Sequence, residues 1–331
     1  MSELIPMSHD AVLEVCDLHT HFFPRRGTVK AVDGVSFSLR RGEVLGLVGE
    51  SGCGKSVTAL SLLRLLPGEA ARTIQGQVLL NGEDLLRKSK SQMRQIRGRK
   101  IAMILQDPQT SLNPVFTIGN QLSEVMTKDP SVPGGGVLQQ VIEALRKVKL
   151  AAPEQRVGQY PHELSGGMKQ RVVGAMAMSR APEVLIADEP TTALDVTIQL
   201  QYLKLLKELQ ANTEMAILFI THDFGVVARM CDRIAVMYAG RIVETGPVRA
   251  VFDNPSHPYT QALIASVPKM SYTEARLHTI EGQPPALSDL PEGCRFEERC
   301  PYAEERCRAA YPASFDVGTE HTASCWRLVP E

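Results

Sequence analysis

Two widely separated glycine-rich stretches carry residue types that hold phosphate: Gly49-Glu50-Ser51-Gly52-Cys53-Gly54-Lys55-Ser56 and Leu164-Ser165-Gly166-Gly167-Met168. In the first, glycines let backbone N–H groups turn inward around the α- and β-phosphates of a nucleotide, Lys55 reaches the β- and γ-phosphates, and the Ser56 hydroxyl ligates Mg²⁺. In the second, Ser165 caps a helix, and its hydroxyl with the exposed N–H groups of Gly166 and Gly167 forms another anion site. A glycine turn without a ligand is the plain alternative for the first stretch, and an ordinary helix cap for the second. One nucleotide has one triphosphate, so the second stretch needs its own explanation.

The elements that must position these residues read as alternating strands and helices. Glu43 to Val48 is a short apolar run suited to a buried parallel strand, and Val57 to Leu66 reads as the helix after the loop. Val184 to Ala187 is a second such strand, delivering Asp188 and Glu189 at its carboxyl end, where parallel sheets gather ligands. Asp188 suits a carboxylate that holds Mg²⁺. Glu189 points the other way if strand geometry continues, which places it to polarise a water against the γ-phosphate. A helix is expected from Gly166 towards Ser179, and Met215 to Thr221 reads as a strand that ends at His222. Ile198, Tyr202, Leu205 and Leu209 recur at helical spacing and form a core face.

With Gln106 before Asp107, Leu194-Asp195 after the acidic pair and His222 after its strand, the order of motifs resembles the nucleotide-binding subunit of an ABC transporter. The resemblance implies an α/β fold: a P-loop NTPase core with an antiparallel β subdomain, an inserted helical subdomain and a small Cys-rich C-terminal extension. It implies ATP and Mg²⁺ as ligands, with Gln106 as the Q-loop residue at Mg²⁺ or water and His222 as the switch histidine at the γ-phosphate. Asp195 takes the role of the D-loop aspartate that communicates across a dimer. In this family the Leu-Ser-Gly-Gly motif of one subunit closes on the ATP of its partner, so Ser165, Gly166 and Gly167 serve the partner's site. An aromatic near the start of the chain stacks on adenine. Phe22 is the candidate and Phe23 the second choice.

Hydrophobic residues make up 44% and charged residues 22%, and no run approaches the roughly 20 apolar residues of a membrane span. The chain is therefore not expected to form a pore itself, and the resemblance implies that other subunits build it. Basic and acidic residues number 36 and 37, no basic stripe stands out, and no nucleic-acid partner is expected. No signal-peptide pattern opens the sequence, which leads to an expected place in the cytoplasm, and the resemblance implies the cytoplasmic face of the membrane. The expected domains are residues 1–105 with 184–245 as the ATPase core, 106–183 as the helical subdomain and 246–331 as the extension. A loop is expected over Asp129 to Gly136, where proline and glycine cluster.

The tail narrows the resemblance. His257-Pro258-Tyr259-Thr260, together with Gln106-Asp107-Pro108-Gln109-Thr110-Ser111-Leu112-Asn113-Pro114, resembles the oligopeptide/dipeptide branch, which also includes nickel and glutathione importers. The implied partners are a second ATPase subunit, paralogue or self, two transmembrane permease subunits and, indirectly, an external solute-binding protein. A soluble ABC ATPase acting on ribosomes or DNA is the alternative, although the chain has one cassette and no sustained heptads.

Cys294, Cys300, Cys307 and Cys325 crowd the tail. Disulfides suit secreted domains, and none of these cysteines is followed by another within the two to four residues usual for structural zinc. A [4Fe-4S] cluster accepts looser spacings. Zn²⁺ and free thiols stay open on spacing alone, while the resemblance favours the cluster, because some peptide-importer subunits carry one here. Tyr311, Phe315 and Trp326 are expected to form a small tail core. Cys53, where family members often have serine, reads as a small tolerated residue exposed to oxidation or alkylation.

Overall fold

The computed structural model describes residues 10–25, 27–68, 70–127, 136–192, 194–267 and 279–329. The expected loop over Asp129 to Gly135 lies outside the described residues. Two compact units emerge: residues 1–87 with 219–331, and residues 88–218.

In the first unit, all five residues of the strand Val44–Val48 are buried. An unbroken apolar run suits a parallel strand covered on both faces, and this one pairs in parallel with Arg233–Tyr238, Leu45 opposite Arg233 and Val48 opposite Val236. Arg233–Tyr238 turns back antiparallel onto Arg241–Pro247 through Ala239 and Gly240, both in the left-handed region at φ 43 and 87. Arg241–Pro247 then pairs with His321–Ala323, and that strand with Phe315–Gly318. The cysteine-rich tail thus supplies the last two strands of the sheet from which the first glycine stretch departs. The helix after that stretch spans Lys55–Leu62, ending earlier than the pattern suggests. Arg64 takes a left-handed φ of 52 and Leu65 N–H donates to Leu60 C=O at 2.9 Å, which closes the helix in a tight αL turn ahead of Pro67.

A second sheet in this unit is antiparallel. Ala11–Phe22 runs between Val29–Arg40 and Ala71–Leu80, and Glu83–Asp84 adds a short edge. Its pairing slips around Asp17, at φ 48. Gly76 meets this irregularity at φ 104, and a Cβ there would lie 2.5 Å from Asp17 O. Leu13, Leu18, Val32 and Val35 carry the buried face, each contributing about 1.5–3 kcal/mol through burial.

The second unit pairs Ile101–Ile104 in parallel with Val184–Asp188, Ile101 opposite Val184 and Ile104 opposite Ala187. Its other elements are helices, chiefly Ile118–Thr127, Val137–Lys147, Gly166–Met178 and Val196–Thr213. Leu122, Val141, Leu145, Val172 and Leu206 are fully buried among them. Of the expected face on Val196–Thr213, Tyr202 and Leu205 are buried, whereas Ile198 and Leu209 are half-buried. Gly174 allows the close approach of Tyr202, since a Cβ there would sit 3.0 Å from its Oη. Among the described residues no helix is long and apolar enough to cross a membrane.

Candidate functional site

The first glycine stretch is closed by backbone from two neighbouring strands. A Cβ at Gly49 would lie 2.1 Å from Met237 O, and one at Gly54 2.2 Å from Ala31 O, so a side chain at either would have to push main chain aside. Gly240 N–H donates to Cys53 C=O at 2.8 Å. Lys55, 5% exposed, donates its ammonium to the carbonyls of Gly49 at 2.7 Å and Glu50 at 3.0 Å. Ser51, Gly52 and Ser56 are exposed along the same loop. Cys53 is buried against Lys55, and burial raises its thiol pKa despite the pull of the ammonium. That corrects the expectation of an accessible, easily alkylated thiol: the thiolate that reacts is disfavoured here.

Glu50 has three further ties within this unit. Its carboxylate accepts two N–H bonds from the Arg299 guanidinium, at 2.7 and 2.9 Å, and its own N–H donates to Tyr259 Oη at 2.9 Å. Neither partner was legible as such, because both lie some two hundred residues downstream, at separations of 249 and 209.

In the second unit, Asp188 ends its strand 4% exposed. Glu189 does not continue the strand. Its φ of 44 is left-handed, a conformation that costs a non-glycine residue about 1 kcal/mol or more. The turn, rather than strand alternation, aims the carboxylate, which accepts from Gln106 Nε2 at 3.0 Å and Thr192 Oγ1 at 2.9 Å. Thr192 is a partner that the sequence pattern had passed over.

Ser165, exposed, caps Gly166–Met178 by accepting Met168 N–H at 3.4 Å. Gly167 has a packing reason to be glycine: a Cβ would lie 2.6 Å from Ile198 Cγ2 on the helix Val196–Thr213. Asp195 caps that helix, accepting Ile198 N–H at 3.0 Å.

In the first unit, His222 is exposed at the end of the strand Ala216–Thr221. Asp223 fixes the turn after it, accepting the N–H groups of Gly225 and Val226 at 2.7 and 3.2 Å. Phe22 is the half-buried last residue of its strand, while Phe23 is 37% exposed with the Arg72 guanidinium 4.8 Å over its ring.

The tail brings its four cysteines together. Cys294 N–H donates to Cys307 C=O at 2.7 Å. Burial, and then the neighbouring thiols Cys307, Cys300 and Cys325, push Cys294 up to about 11. Cys300 and Cys325 are likewise raised by burial and by these neighbours. The aromatic core of this region is not the expected trio, since Tyr311, Phe315 and Trp326 are only half-buried. Phe296 fills that place, packing on Tyr238 and Tyr259 with ring centres 5.3 and 5.4 Å away. Next to Cys294, buried Arg295 donates to Ala239 C=O and to Asp33. Burial works against the Asp33 carboxylate, but Arg295, Arg241 and His19 more than offset it and hold its pKa well below the usual range. Asp33 also stands with His19 and His21 in a group whose ligand atoms all lie within 4.8 Å. The two guanidiniums already neutralise that carboxylate, which disfavours a metal ion there.

Residues 32–192 match the ABC transporter family, and residues 243–307 match the C-terminal region of oligopeptide/dipeptide transporters. The chain is 51% identical to "Probable peptide ABC transporter ATP-binding protein y4tR" of Sinorhizobium fredii, over 96% of this chain and 95% of that one. It is 48% identical to the dipeptide transport ATP-binding protein DppD of Bacillus subtilis, again over 96% of this chain and 95% of that one. The chain belongs to the ABC transporter family, as an ATPase subunit. Among solved structures, the ADP- and Pi-bound dimeric ATP-binding cassette MJ0796 aligns with this ABC ATPase at a TM-score of 0.64 and 25% identity, over 72% of this chain and 99% of that chain. The α/β fold of the family is therefore the fold of this ATPase. The match at 243–307 places it with the oligopeptide/dipeptide ABC transporters.

Proposed function

We infer that this ATPase hydrolyses ATP to energise import of oligopeptides, dipeptides or a related small solute through a membrane complex. The observation that carries the reading is the union, in one chain, of the ABC transporter match and the oligopeptide/dipeptide C-terminal match. The stretch Gly49 to Ser56 binds ATP, with Lys55 leaving its carbonyl partners for the β- and γ-phosphates, and Phe22 stacks on adenine. Ser56, Gln106 and Asp188 are the Mg²⁺ ligands, an all-oxygen set suited to a hard cation. Bound Mg²⁺ would offset charge on the phosphates. Glu189, oriented by Gln106 and Thr192, takes a proton from the attacking water. His222 contacts the γ-phosphate.

Ser165, Gly166 and Gly167 contact ATP held by a partner ATPase subunit, and Asp195 communicates between the two. Exposure of Ser165 and Gly166 supports that role. Two permease subunits receive the motion through the Gln106 segment, and a solute-binding protein acts outside the cell, which puts the ATPase at the cytoplasmic membrane surface. The proposed division is residues 1–105 with 184–245 as core and antiparallel subdomain, 106–183 as helical subdomain and 246–331 as extension. Hydrolysis by the complex reconstituted with its permeases, stimulated by peptide-loaded binding protein, tests the reading. Absence of stimulation by any peptide pool, and by nickel or glutathione, sinks it.

Cys294, Cys300, Cys307 and Cys325 hold a [4Fe-4S] cluster in this proposal. All four thiols influence one another electrostatically. The cluster would supply a structural staple or a one-electron store. Anaerobically prepared protein should be brown, with iron and sulfide in equal amounts. Colourless protein with stoichiometric zinc overturns this assignment.

A further inference from the structure

Arg299 and Tyr259 belong to none of the groups that bind or hydrolyse nucleotide in the reading above, yet both close on Glu50 inside the phosphate loop. Every polar group of Glu50 is committed. Its N–H goes to Tyr259 Oη, its C=O accepts from Lys55 Nζ, and its carboxylate takes the bidentate fork of Arg299. Arg299 is itself fixed: its side chain is 4% exposed, Nε donates to Glu281 C=O at 3.0 Å, and Nη1 also reaches Tyr238 Oη at 3.3 Å. The rings of Tyr238 and Phe296 each lie 5.8 Å from its Cζ. Tyr259 is fully buried with its ring 4.5 Å from that of Tyr238. A rigid fork with its bonds pre-formed loses little entropy in holding a carboxylate.

The electrostatic reason for such a clamp lies in the loop. A loop built to receive a triphosphate carries an acidic residue of its own, and an uncompensated carboxylate there repels the ligand. We propose that Arg299, together with Tyr259, is a positioning residue of the ATP site, neutralising Glu50 and holding the first turn of the phosphate loop in the form that accepts ATP. The proposal rests on the ATPase reading. It gives the C-terminal region a direct hand in nucleotide affinity, distinct from any role of its cysteines.

Titration of the full-length chain with mant-ATP and Mg²⁺ tests it. Arg299→Gln should raise Kd roughly tenfold, the size expected for a lost charged hydrogen-bonded pair, and should make binding more sensitive to salt. Glu50→Gln combined with Arg299→Gln should return Kd to within roughly threefold of wild type, because the unpaired carboxylate is gone. Tyr259→Phe keeps the ring stack and the ion pair, loses only the acceptor for Glu50 N–H, and should raise Kd roughly threefold. A wild-type Kd in Arg299→Gln, a double variant as weak as Arg299→Gln alone, or a wild-type Kd in Tyr259→Phe overturns the proposal. Wild-type chain that binds no mant-ATP would instead overturn the ATPase reading.

Discussion

The two glycine-rich stretches look alike in sequence and are built differently. Gly49 to Ser56 is braced from behind, with Ser51, Gly52 and Ser56 left exposed: main chain at Ala31 and Met237 presses on its glycines, Gly240 and Tyr259 bond its backbone, and Arg299 holds its acidic residue. Ser165 to Gly167 depends on its own helix cap and on one neighbouring side chain, Ile198, and presents Ser165 and Gly166 to the surface. A loop that must bind ATP by itself is braced before the ligand arrives. Under the proposed function the second loop completes a partner's site, and it can remain open because the partner supplies the rest.

That contrast can be broken by substitution. The largest effect is expected away from both loops, at the hydrolytic step they share: Glu189→Gln should lower turnover by roughly 10²–10⁴-fold while mant-ATP still binds, and a turnover near wild type removes Glu189 from its role. Lys55→Ala should weaken mant-ATP binding by the isolated chain roughly a hundredfold, as befits loss of a charge-assisted phosphate contact. Ser165→Ala should leave that binding unchanged and lower ATP turnover of the assembled transporter roughly tenfold. Equal binding losses in these two variants would erase the distinction between a braced loop and an open one.

A subtler test separates packing from ligand contact at Gly167. Gly167→Ala should lower the thermal midpoint by forcing Ile198 aside, and adding Ile198→Ala should restore it. If turnover recovers along with stability, the glycine serves the helix interface alone; persistent loss keeps it in the partner's site. A separate effect, on stability alone, concerns the tail's second anchor. Asp33 has a depressed pKa in the folded chain, so its stabilisation is present above the ordinary carboxylate pKa and is lost as pH falls below it. Asp33→Asn should therefore cost about 3 kcal/mol at neutral pH by leaving Arg295 unpaired, and its difference from wild type in chemical denaturation should shrink below about pH 4.

Much of the candidate site was legible because its residues sit next to the elements that place them. Asp188 follows an apolar strand, His222 follows another, and Ser165 and Asp195 each precede a helix whose third residue they cap. The aim of Glu189 was not legible, since a left-handed turn at φ 44 replaces the strand alternation on which its direction was reasoned. Phe296 was overlooked as the tail's packing centre because its partners, Tyr238 and Tyr259, come from earlier segments. The tail read as an appendage by composition, yet Ala323 pairs with Glu244 and extends the core sheet.

The sequence by itself determined the chemistry: the phosphate-binding loop, the acidic pair after its strand, and the cysteines of the tail are runs of neighbouring residues whose types and spacing suffice. Only the tertiary structure decided what surrounds that chemistry. Hydrogen bonds such as Arg299 to Glu50 and Arg295 to Asp33 join residues separated by 249 and 262 positions, and local pattern carries no information about pairs that only the folded chain brings within reach.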